Sequence, residues 1–74
     1  MEVKSTTAWS AGVVLAASEV WQCIDGAVQV TTEVPVSLTQ GFVLRALDSM
    51  SIPAGLTVYH RAAVRGSINR EAIG

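Results

Sequence analysis

The chain has a single cysteine, Cys23, so no internal disulfide can staple it and no Cys-x-x-Cys clip can hold a metal. Its one histidine, His60, stands beside Arg61 and away in sequence from any serine or cysteine it could activate, so no catalytic grouping converges along the chain. Charge of either sign is scarce: Lys4, Arg45, Arg61, Arg65 and Arg70 face six acids for a formal net charge of −1. Attraction to nucleic acid or to an anionic membrane needs clustered Lys and Arg, and only Arg61 and Arg65 lie close together. The longest apolar run, Ala11 to Ala17, falls far short of the roughly 20 residues a spanning helix requires. Residues 1–9 carry an early acid, Glu2, and match a signal peptide poorly, so the expected place of synthesis and residence is the cytoplasm. No nucleic-acid partner, membrane partner, cofactor or metal is therefore expected, and no enzymatic activity.

What is present is apolar and β-branched. Half of the 74 residues are hydrophobic and 15% are charged, the reverse of a disordered chain. Valine, isoleucine and threonine together make up 21 residues, a bias toward pleated sheet. A domain of this size hides only about 60% of the surface its unfolded chain exposes, and without disulfide or metal the common remedy is association. The chain is expected to be a subunit of something larger.

The pattern predicts an all-β single domain, a small sandwich or barrel with a jelly-roll or cupin-like corner and extended terminal arms. Glu19 to Glu33 reads as a hairpin turning at Asp25-Gly26, with Val28, Val30 and Thr32 on one face of its second arm. Pro35 ends that arm, Ser37 to Gly41 is a loop, and Phe42 to Leu47 is a strand. A turn is expected at Asp48-Ser49 and a second at Pro53-Ala54-Gly55, followed by a strand from Leu56 to Ala62. Residues 1–18 form an arm or first strands, with Trp9 to Leu15 leaning to strand; residues 19–64 form the core; residues 65–74 form a C-terminal arm, frayed or docked on a neighbour.

Several side chains are candidates for contact with a partner. Trp9, Trp21 and Tyr59 are aromatic anchors, for packing or for stacking on a sugar. Arg61, Arg65 and Arg70 can grip carboxylates, and Ile68 and Ile73 are the apolar points of the tail. His60 is read as a strand residue bonded to a carbonyl or to water, and Cys23 as a buried hydrophobe.

The run Asp48 to Gly55 followed by His60 resembles the second motif of cupins. The hairpin where cupins place their histidines has Glu33 and no histidine, so the likeness implies a degenerate, metal-free domain. A broader resemblance covers residues 20–63. Trp21-Gln22-Cys23, Gly26, Val30-Thr31-Thr32-Glu33 and Pro35, then Leu47-Asp48-Ser49 and Ile52-Pro53-Ala54-Gly55 with Thr57-Val58-Tyr59 and Arg61-Ala62, are similar to small bacteriophage virion proteins. Those carry Gly-Asp where this chain has Leu47-Asp48. The resemblance implies a viral structural protein of the virion, most plausibly a capsid decoration or cement protein on the major capsid protein lattice. It implies a homo-oligomer, with a trimer favoured. The alternative is a receptor- or glycan-binding module of a phage tail or fibre.

Overall fold

The computed structural model describes residues 1–73, and every regular element among them is a strand. The elements are β1 (Glu2–Ser5), β2 (Val13–Val14), β3 (Glu19–Thr31), β4 (Phe42–Arg45), β5 (Ser49–Ile52) and β6 (Thr57–Ala72). They form one antiparallel sheet in the order β1-β6-β3-β4, with β2 also on β6 and β5 also on β3. The long strands β3 and β6 pair along nearly their whole length, from Glu19 opposite Ala72 to Thr31 opposite Tyr59. Each carries two short strands on its outer side.

The expected hairpin at Asp25-Gly26 is corrected by this register: Glu19–Thr31 is one uninterrupted strand. Gly26 does take a positive φ of 65°, the property that marked it as a turn residue, but here that freedom serves an irregularity in the ladder. One extra residue is inserted in β3 between Cys23 and Asp25, and the pairing shifts again between Gly26 and Val28, opposite residues 63–65 of β6. At the centre Gly26 faces Gly66, where the backbones approach so closely that a Cβ on Gly26 would run into the Arg65 carbonyl oxygen.

The inserted residue changes which side chains point inward. Before it Trp21 and Cys23 are buried, and after it Val28 and Val30 are, so the apolar positions pass from odd to even. The irregularities also bend the sheet. Trp21 and the β6 partner of Val30, His60, sit nine β3 residues apart in register, about 30 Å for a straight strand. Their rings nonetheless meet edge to face, with centroids 5.8 Å apart. The two halves of the β3–β6 ribbon thus close on one core of Leu15, Trp21, Cys23, Val28, Val30, Leu44, Ile52, Val58 and Ile68.

The C-terminal arm is corrected too. Arg65–Ala72 is the second half of β6, paired with β3 on one side and with β1 on the other. The tail, with Ile68 and Ile73 isolated among polar residues, is expected to fray or to dock on a neighbour, yet Ile68 lies fully buried against Cys23 within the chain, because β3 and β1 flank it. Gly74 lies outside the described residues. The turn expected at Asp48-Ser49 falls slightly earlier, with the Asp48 amide donating to the Arg45 carbonyl at 2.8 Å. Leu47, where the resemblance expects glycine, adopts a left-handed φ of 74°. The Pro53-Ala54-Gly55 turn is formed as read, with Gly55 at φ 89°.

Candidate functional site: an outward-facing apolar segment

The structure separates the predicted contact residues into two groups. Trp21 and Ile68 are fully buried and belong to the core. Arg70 is held inside the fold: its guanidinium makes two hydrogen bonds to the Glu19 carboxylate, at 2.9 and 3.0 Å, and lies 5.1 Å over the Trp21 ring. Glu19 also accepts from the Trp21 indole N–H at 2.9 Å. The hydrogen bonds from Arg70 hold the Glu19 carboxyl below its ordinary pKa, outweighing the upward effect of burial. Arg61 is buried as well, and Arg65 is exposed beside Asp25 at 3.4 Å. Tyr59 is half-buried against Gly12, and Trp9 is half-buried. Ile73 remains partly exposed.

His60 does have a serine for a neighbour. Ser5 Oγ lies 2.7 Å from His60 Nδ1 in a buried contact that ties β1 to β6, in place of the expected carbonyl or water. The pair comes from residues 55 apart in sequence, so adjacency along the chain gave no sign of it. Burial, and after it the nearby Arg70 charge, lower the His60 pKa from its ordinary 6.5. Ser5 is itself buried, and the His60 ring meets Trp21 edge to face, so the pair lies within the packed interior. The Cys23 thiol is buried, pushed up in pKa by desolvation, and points at the Asp25 and Gly26 carbonyls; it behaves as core. Among the described residues no three of His, Cys, Asp and Glu cluster as metal ligands do.

The segment that faces outward is the one between β3 and β4 together with β4 itself. Its backbone is fixed from beneath by polar side chains. Arg61 donates to the Leu38 carbonyl at 3.3 Å, to the Thr7 carbonyl at 2.9 Å and to Gln29 Oε1. Gln29 donates to the Leu38 carbonyl at 2.6 Å, and the Trp9 indole N–H donates to the Ser37 carbonyl at 2.9 Å. Gln40 Oε1 accepts from the Val36 amide at 2.9 Å, while its Nε2 donates to the Val34 carbonyl at 3.3 Å. With the polar groups turned in, the apolar side chains turn out: Val34 is 70% exposed, Val36 90%, Leu38 60%, Phe42 69% and Val43 53%.

Sequence reading placed a loop at Ser37 to Gly41 and a strand from Phe42 to Leu47, and missed that the segment's apolar side chains are exposed. Five large apolar residues in a short stretch around Pro35 were the available signal, but alternation with Ser37, Thr39 and Gln40 disguises them as ordinary loop composition. Arg61 was seen as a partner-binding charge, whereas it is the clamp that holds the segment in place. Comparison with protein-family models, with curated proteins and with solved structures finds no match for this chain.

Proposed function

We propose that this chain is a non-enzymatic structural protein, one subunit of an assembly, which binds protein surface through the apolar segment of residues 34–43. The observation that carries this reading is the exposure of Val34, Val36, Leu38, Phe42 and Val43 on a backbone held by Arg61, Gln29, Gln40 and Trp9. A flexible loop would let such side chains collapse onto the core; this one is fixed with them outward. Burying each is worth about 1.5–3 kcal/mol. The roughly 10 kcal/mol gross from five of them matches the 4–15 kcal/mol that association costs. The apolar segment thus offsets the cost of association, and the net affinity comes from further contacts.

The resemblance read in the sequence of residues 20–63 extends the proposal to a particle shell as the setting, with the chain as a capsid decoration protein on the major capsid protein lattice and as a homo-oligomer. The same reading takes the bent sheet as a small sandwich, its halves meeting at Trp21 and His60. A glycan-binding module would need its aromatics aligned in the open, and the burial of Trp21 speaks against it.

The test is mass in solution by light scattering over a dilution series, for the native chain and for a variant carrying Val36→Asp, Leu38→Asp and Phe42→Asp. The native chain is expected to associate and the folded variant to be monomeric. A native chain that stays monomeric at about 100 µM, which corresponds to a net association free energy weaker than about 5.5 kcal/mol, overturns the reading.

A further inference from the structure

Resting on that reading, we propose that the partner on this face is a second copy of the chain, joined edge to edge through β4 about a two-fold axis at Val43. The outer edge of β4 is unpaired, because the sheet order ends there. Its register with β3 is regular over all four residues, with neither a bulge nor a proline, and its one charge, Arg45, stands at the end of the strand, so the edge at Val43 is open to another strand.

The hydrogen bonds at the end of the strand show which backbone groups are free. The Arg45 amide donates to Asp48 Oδ2 at 3.1 Å and the Arg45 carbonyl accepts from the Asp48 amide at 2.8 Å, so Arg45 turns its backbone away from β3 and is capped by its own turn. Alternation along an antiparallel ladder turns the Val43 amide and carbonyl the same way. They are the pair at the middle of the edge left open for another strand. One residue offering one donor and one acceptor is self-complementary about a two-fold axis, where each Val43 satisfies the other.

The charges fit the same register. Centring the pair on Val43 sets Arg45 of one copy opposite Gly41 of the other. Gly41 and Phe42 share a shallow recess with Glu33. Among the described residues neither Arg45 nor Glu33 has an ionic partner within its own chain. The two-fold operation brings each arginine to the other copy's glutamate, twice over. Phe42 falls opposite Leu44 of the second copy, so its exposed ring is covered as the sheet continues from one chain into the next.

Cross-linking tests the register directly. Two residues facing each other as a hydrogen-bonded antiparallel pair have Cα atoms about 5.5 Å apart, within the roughly 4.4–6.8 Å a disulfide spans. Under mild oxidation Val43→Cys should give a covalent dimer, while Val64→Cys, on the exposed bulge of β6, should give none. Arg45→Glu should weaken the native dimer about tenfold, and adding Glu33→Arg should restore it to within about threefold. An oligomer of native mass in which Val43→Cys fails to cross-link, or in which the charge reversal has no effect, overturns the two-fold pairing and leaves the assembly reading intact. A native trimer overturns it likewise. A native monomer removes both.

Discussion

The end of the sheet around Trp21 and the face around Val36 use polar groups in the same way and apolar groups in opposite ways. At Trp21, Glu19, Arg70 and the indole N–H satisfy one another beside a ring with no exposed surface. Around Val36, Arg61 and Gln29 bond the Leu38 carbonyl and Gln40 bonds the Val36 amide and the Val34 carbonyl, while the valines and Phe42 stand in water. In both places paired polar side chains hold the backbone or a neighbouring side chain, through hydrogen bonds partly buried at Trp21 and largely exposed around Val36, where Arg61 alone is buried. The contrast separates two faces: one is closed by its own chain, and the other, which we propose a neighbour covers, leaves its apolar side chains exposed.

The largest expected effect falls at the closed end. Trp21→Ala removes the ring on which Arg70 and His60 pack and should cost about 3–5 kcal/mol of unfolding free energy, read by chemical denaturation. Such a variant also leaves the Arg70–Glu19 pair less covered, so partial unfolding is the expected appearance. Phe42→Ala, a similar truncation on the open face, should change the stability of the monomer by no more than about 0.5 kcal/mol. If the two changes cost the same, the distinction between the ends fails.

Arg61→Ala comes next. It removes the donor that ties the Thr7 and Leu38 carbonyls to β6, at a cost of about 1–3 kcal/mol. Its particular mark is that association should weaken along with stability, because the segment 34–40 loses its support. Arg61→Lys keeps the charge and loses the fork geometry, and should rescue neither fully.

A smaller effect sharpens the comparison through pH. The folded His60 pKa lies below 6.5, so the unfolded chain takes up its proton first. The contribution of neutral His60 is complete above about pH 6.5 and is lost as pH falls through that value toward the folded pKa. Glu19 behaves separately: its pKa is depressed by Arg70, and its contribution declines only below its ordinary 4.5. Denaturation curves at pH 7.5 and 5.5 should therefore differ for the native chain, and the difference should shrink in His60→Asn. An unchanged pH slope in that variant would assign the effect to some other group.

Much of the local structure was legible because it rests on single-residue chemistry. Pro53 and Gly55 make the turn their types dictate, and Val28 and Val30 share the buried face that their spacing announces. The features that escaped depend on long-range pairing. Asp25-Gly26 has the chemistry of a tight turn, and only the presence of Gly66 across the ladder makes it a bulge inside one long strand. Ile68 gains its burial from β1 and β3, which adjoin it from the far end of the chain, and Ser5 reaches His60 by the same pairing. The apolar segment was hidden for a different reason: exposure depends on which way a loop is held, and the residue holding it, Arg61, lies on another strand.

The most direct test is amide hydrogen exchange followed across a concentration series. Occupation of the open face predicts that exchange in residues 34–43, the Val43 amide above all, slows as concentration rises while the exposed bulge at residues 63–65 keeps its rate. Exchange in residues 34–43 that does not change over the whole range would contradict the claim that this face is completed by another chain.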